Sequence, residues 1–178
     1  IFSAPELRAV QTAAAVARSL KQSGKGPLLI DIEPALMEWP GWADAESHSH
    51  YLSPKKYAAL GYQVNEEYQP TTSIATILAS AETPAGSYER MANFISNTIS
   101  ASKDKALLFV GGPCVLHAGR DGTWVTHDEI HHIKISIPSS TVHLFSVTEQ
   151  GSLLHDDQPI RPFTKTLNDV RKDKSCAA

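Results

Sequence analysis

The chain has 178 residues, 42% hydrophobic and 20% charged, enough for one domain with a proper core. Its formal net charge of −3 gives no electrostatic attraction to nucleic acid or an anionic membrane, so neither is an expected partner. No apolar run approaches the ~20 residues that insert across a bilayer, and Cys114 and Cys176 are too few for a disulfide framework. "IFS" opens like a strand already under way, and Ile1 is not an initiator, so a segment preceding Ile1 is expected. "APELRAVQTAAAVARSLKQSG" then has helical grammar: Ser3 is the N-cap candidate, Pro5 and Glu6 suit the first turn, and Gly24 suits the stop. Leu7, Val10, Ala14, Ala17 and Leu20 fall three and four apart and make one apolar face.

"PLLIDIEP" predicts a strand ending at Pro34, followed by a loop over 35–52 that carries Trp39, Pro40, Gly41 and Trp42. "SPKKYAALG" predicts a short helix capped by Ser53 and stopped by Gly61; residues 62–73 are irregular and 74–78 helical. A long helix follows Thr83 and Pro84, with Met91, Phe94, Ile95 and Ile99 on one face. "ALLFVGGPC" is a buried strand cut short by two glycines, leading to a turn or helix through "PCVLHAG". After a histidine-rich loop, "HIKISIP" and "TVHLFSVTEQ" alternate as strands, and "EQGS" turns into "LLHDD". Residues 1–160 form the domain and 161–178 a polar C-terminal tail.

Strands alternating with helices predict an α/β fold with a mainly parallel sheet and helices on its faces. Sites in such sheets lie beyond the C-terminal strand ends. That rule brings together "SAPELR", "IEPALMEW" and "FVGGPC". Arg8, in the first turns of a helix leaving a strand, could hold a phosphate or carboxylate; alternatively it is an exposed residue paired with Glu6 or water. Glu38, beside two tryptophans, could be a general acid whose neutral form is favoured; alternatively it is a solvated loop residue. "CVLHAGR" puts five residues between Cys114 and Arg120, the spacing of the cysteine phosphatase loop, against a plain helix. In "HDEIHH", His127 and His131 could face a metal with Asp128 or Glu129 nearby. A solvated loop is the favoured reading there, as it is for His48 and His50, and no metal or other cofactor is expected.

"SAPELRAVQTA" followed by "IEPALMEW" and an apolar strand resembles the histidine phosphatase (phosphoglycerate mutase-like) superfamily. The nearest branch is the UBASH3/STS-type phosphatase domain and its insect ecdysteroid-phosphate relatives, which share the tryptophan loop and the "YxP" of "EEYQP". The resemblance covers Ile1 to about Glu149. It implies a three-layer α/β fold, completed by an upstream segment that bears an Arg-His-Gly motif on a central strand. It also implies a mechanism in which a histidine attacks phosphorus, arginines and a second histidine stabilise the transferring phosphoryl group, and a carboxylic acid protonates the leaving oxygen. Arg8 matches a phosphate-binding arginine and Glu38 the acid. Where the second histidine belongs stands Gly112, which has no side chain. His117, one turn further on, is expected to point away from the pocket.

The expectation is therefore a catalytically degenerate phosphatase fold kept as a binding or scaffolding module, inside the cell in the cytoplasm or the nucleus. Its partner would be a protein or a phosphorylated ligand, and the resemblance suggests a homodimer. The alternative is a weakly active phosphomonoester phosphatase, of phosphotyrosine type, whose nucleophilic histidine lies upstream of Ile1.

Overall fold

The computed structural model describes residues 1–42, 51–102, 106–121, 145–147 and 153–155. Three short parallel strands organise it: β1 (Phe2–Ser3), β2 (Asp31–Ile32) and β3 (Phe109–Val110), in the order β2-β1-β3. Phe2 stands opposite Asp31 on one side and Phe109 on the other; Ser3 stands opposite Ile32 and Val110. Parallel strands need crossovers, and the helices supply them. Helix α1 (Leu7–Gln22) joins β1 to β2. Helices α2 (Pro54–Ala59), α3 (Ile74–Ala79) and α4 (Pro84–Ala101) lie between β2 and β3, and α5 (Pro113–Asp121) follows β3. Strands β4 (Phe145–Val147) and β5 (Leu153–His155) pair antiparallel, and the "EQGS" segment between them lies outside the described residues. "HIKISIP" and the tail from Arg161 lie outside them too.

Successive residues of a strand face opposite ways, and the core follows that rule. Ile1, Ile30 and Ile32 pack with Val10, Ala13 and Ala14 of α1, Tyr57 of α2 and Val64. Phe2 and Phe109 pack with Tyr88, Met91, Phe94 and Ile95 of α4 and with Cys114, Val115 and Ala118 of α5. Phe2 stacks on Phe109 with ring centroids 5.5 Å apart, and Phe94 meets both rings edge-on. Each such pair adds about 0.5–1.5 kcal/mol to the burial of its area.

The local signals act where the sequence puts them. The Ser53 hydroxyl accepts the Lys56 N–H, and the Thr83 hydroxyl accepts the Gly86 N–H, each just before a proline at the first helical position. Gly24 and Gly61 end their helices at φ +82° and +88°, a conformation that costs other residues a Cβ clash. Ser3 does not cap α1. The chain stays extended through Ala4, whose N–H donates to the Val110 carbonyl. Ser3 thus sits inside β1, its buried hydroxyl donating to the Ala4 carbonyl. The N-cap position falls to Glu6, whose side chain makes no capping bond. Along α1, Val10, Ala14 and Ala17 are buried as their spacing requires, but Leu7 is 44% exposed at the sheet's C-terminal edge.

Candidate functional site

The C-terminal ends of β1, β2 and β3 carry "APELR", "EPALMEW" and "GGPC". Parallel register brings these three segments together, although the chain separates them widely. The Arg8 guanidinium donates to Glu38 Oε2 at 3.1 Å, so its partner is Glu38 and not Glu6. Gly112, buried, closes the other side of Glu38. A Cβ on Gly112 would stand 2.8 Å from Glu38 Cγ and nearer still to Cδ and Oε1. Arg8, Glu38 and Gly112 therefore share one small space.

Glu6, which the sequence offers as a first-turn residue and as an alternative partner of Arg8, completes the group. Its Oε1 accepts the Glu38 backbone N–H at 3.3 Å. Glu6 Oε2 and Glu38 Oε1 are both buried with no hydrogen-bond partner among the described residues. Burial raises the Glu6 carboxyl above the ordinary range, assisted by the Glu38 charge and opposed by Arg8 and backbone N–H groups. Tyr51 feels the same surroundings: burial first, then the Glu6 charge, pushes its hydroxyl up to about 12.

The titration of Glu6 sets a sign that can be measured. A carboxyl whose folded pKa exceeds its unfolded value is favoured by folding in its neutral form. That contribution is complete below the unfolded value of 4.5 and is lost as pH rises through the folded value. Glu6→Gln keeps a neutral acceptor for the Glu38 N–H at every pH. Its melting temperature should exceed that of the unchanged chain at pH 7, and the gap should close as pH falls below 4.5. A lower melting temperature at pH 7 would show that Glu6 is held as a stabilising anion.

Glu38 is aimed by its neighbours in the chain. Residues 34–36 make one turn of 3-10 helix after β2, and Arg90 of α4 binds its outgoing carbonyls. The guanidinium donates to Ala35 O at 2.7 Å, Met37 O at 3.0 Å and Pro34 O at 3.3 Å, and grips both Glu82 oxygens at 2.8 Å. On the far side of Glu38, the Trp39 indole N–H donates to the Glu82 backbone carbonyl. Arg90 thus holds the backbone before the candidate acid, and the Glu82 carbonyl holds the side chain of the residue after it. Glu33 anchors the strand end: fully buried, it accepts the Ala35 N–H, the Thr71 N–H and hydroxyl, and the Tyr68 hydroxyl. No spacing signal marks Arg90 in the sequence, because Glu82 precedes the helix cap and lies eight residues away, not four. For Glu33 and Tyr68 the signal was only their presence in the "IEP" and "YQP" motifs.

Other sequence candidates fall elsewhere. Cys114 is buried in the first turn of α5 among Met91, Phe94 and Ile95, and residues 113–121 are helical. Residues 113–121 thus adopt the plain helix that stands against the cysteine phosphatase loop, with the Cys114 side chain turned into the core. His117 lies on α5 with Nδ1 2.7 Å from the Tyr88 hydroxyl, packed against α4. His48, His50, His127 and His131, with Asp128 and Glu129, lie outside the described residues. Among the described residues no group of three metal-ligating side chains occurs, and no helix is long and apolar enough to cross a membrane. A groove of about 550 Å³ beside α4, bordered by Thr71, Thr72, Asn93, Phe94 and Asn97, does not include Arg8, Glu38 or Gly112 in its lining.

No protein-family model matches the chain. Among solved structures, the ecdysone phosphate phosphatase from Bombix mori, crystallised in complex with tungstate, aligns with a TM-score of 0.63 at 20% identity. The alignment covers 93% of this chain and 65% of that one. The chain has the fold of that phosphatase. Curated relatives match shorter stretches of the chain. Ubiquitin-associated and SH3 domain-containing protein B of Homo sapiens is 29% identical over 104 residues, 58% of this chain and 14% of that protein. Its Mus musculus counterpart is 30% identical over 80 residues, 45% of this chain and 12% of that protein. Ubiquitin-associated and SH3 domain-containing protein A of Homo sapiens is 27% identical over 89 residues, 50% of this chain and 12% of that protein. The chain thus matches about one-eighth of the length of these relatives. The fold shared with that phosphatase is the α/β kind that the motifs "SAPELRAVQTA" and "EPALMEW" implied.

Proposed function

We propose that this is a catalytically degenerate histidine-phosphatase-fold domain of the three-layer, phosphoglycerate mutase-like kind, acting as a binding or scaffolding module. The observation that carries the reading is Gly112. It stands at the end of β3, facing Glu38 and buried against it, where the resemblance puts a phosphoryl-stabilising histidine. A glycine there can neither donate to a phosphoryl oxygen nor carry charge. Removing one such donor from an acyl-transfer site costs about 2.7–4 kcal/mol, roughly 10²–10³ in rate. Arg8 leaves a residual site for a phosphate-like anion, and the ligand in this reading is a phosphorylated group on a protein partner. A cytoplasmic setting and a homodimer belong to the same proposal.

A second reading keeps some chemistry. Glu38 and Arg8 are still in contact at the sheet's C-terminal edge, as an acid and an oxyanion-binding arginine would be. With a nucleophilic histidine supplied from sequence upstream of Ile1, the protein would be a slow phosphomonoesterase. Hydrolysis of an aryl phosphate by the natural full-length product, with and without vanadate, decides between them. The module reading expects no vanadate-sensitive turnover above background from well-folded protein. Clear vanadate-sensitive turnover would overturn it in favour of the slow enzyme.

A further inference from the structure

We infer that Glu38 is an internal plug: its carboxylate fills the space of the absent side chain at position 112 and holds Arg8 in place of an external anion. The inference rests on the proposed anion site at Arg8 and states how that site is controlled. Gly112 is the first piece of the argument. Its φ is not in the left-handed region, so its backbone conformation does not call for glycine. What calls for glycine is Glu38, whose Cγ lies 2.8 Å from the Cβ position and whose Cδ and Oε1 lie nearer. The neighbouring Gly111 differs: a Cβ there would meet Val115 of α5, so its requirement comes from helix packing.

The second piece is what Glu38 does from that position. Oε2 binds Arg8, and Oε1 is buried beside Gly112 without a partner among the described residues. The Arg8 side chain is 65% exposed, so solvent reaches the guanidinium, yet one face of its fork is already taken by a carboxylate. A phosphate approaching Arg8 would meet the like charge of Glu38 at close range. Binding therefore requires Glu38 to swing out, and the apparent affinity is reduced by the fraction of molecules in which it has done so. The Arg90–Glu82 clamp and the Glu6 contact to the Glu38 N–H hold the backbone of residue 38 still, which favours the plugged state.

It follows that positions 38 and 112 are coupled. Any side chain at 112 evicts the Glu38 carboxylate and releases Arg8, so enlarging a buried residue would open a site instead of filling it. Inorganic phosphate is the probe, titrated into the full chain and followed by calorimetry and by the Arg8 side-chain N–H resonance. Glu38→Ala and Gly112→Ala should each bind phosphate about tenfold more tightly than the unchanged chain, because an opposing charge has left the site. Adding Arg8→Ala to either should abolish the gain. Glu38→Ala only removes atoms, and Glu38→Gln keeps the shape while removing the charge; these two decide the matter should Gly112→Ala fail to fold. Phosphate binding by folded Glu38→Ala and Glu38→Gln that is no tighter than that of the unchanged chain overturns the plug. So does a gain that survives Arg8→Ala. Aryl phosphate turnover is a separate readout, so an active enzyme would overturn the module reading without touching this result.

Discussion

Replacing Arg90 by methionine should lower the unfolding free energy by about 3–5 kcal/mol, the cost of breaking a buried ion pair from one side. The Arg90 and Glu82 side chains are only 14% and 12% exposed, so the Glu82 carboxylate would be left nearly out of water with no counter-ion. The Pro34, Ala35 and Met37 carbonyls would lose their shared donor as well. Lysine cannot rescue the site, because one ammonium cannot grip two carboxylate oxygens and three carbonyls in the geometry of a planar fork. Denaturant unfolding of Arg90→Met checks the value. The double variant with Glu82→Gln should recover part of the loss, since it removes the stranded charge. A loss below about 1 kcal/mol, the range of exposed pairs, would show that water already reaches the clamp. The consequence for function is direct: without Arg90 the segment bearing Glu38 loses its fixed position over Gly112.

Glu33→Ala is the second large effect, again about 3–5 kcal/mol, because it strands several buried donors at once. The Ala35 N–H, the Thr71 N–H and hydroxyl, and the Tyr68 hydroxyl all end on this one carboxylate. A second signature separates this network from a simple packing loss. The Tyr68 hydroxyl is held well above the ordinary tyrosine range, first by burial and then by its hydrogen bond to the Glu33 carboxylate and the nearby charge. In Glu33→Ala the latter causes vanish, so Tyr68 should ionise at lower pH, visible as tyrosinate absorbance in the alkaline range. An unchanged alkaline titration, or a midpoint shift worth less than about 1 kcal/mol, would show that Glu33 is not the organising acceptor of this loop.

Glu33 and Arg90 sit at the same end of the sheet as the candidate site, and both serve one short segment. Residues 33–39 leave β2 with a single turn of 3-10 helix, so backbone groups that a longer strand or helix would satisfy internally need outside partners. Glu33 takes the N–H side of that requirement and Arg90 the carbonyl side. The rigidity of Glu38 is thus supplied by residues from α4 and from the loop before α3, and by the Trp39 contact to Glu82.

The sequence by itself determined the α-helices among the described residues and where they start and stop. Caps at Ser53 and Thr83, prolines at the first turns, and Gly24 and Gly61 at the stops are local devices that act on bonds within a few residues, so they are legible from spacing alone. Alternation of strand and helix then implied parallel pairing, and parallel pairing implied that "APELR", "EPALMEW" and "GGPC" would meet. Even at short range one reading fails: spacing makes Ser3 the N-cap of α1 with Glu6 in the first turn, whereas the cap position falls to Glu6. Pairing of Ser3 with Ile32 and Val110 across the sheet kept it in the strand. Only the tertiary structure decided the rest. That Arg8 binds Glu38 and not Glu6, that the Glu38 carboxylate fills the space above Gly112, and that Arg90 holds the loop in place are facts about atoms far apart in the chain. Contacts of that kind leave no spacing to read, because what fixes them is the way separate elements pack into one volume, where each side chain occupies the room its neighbours leave.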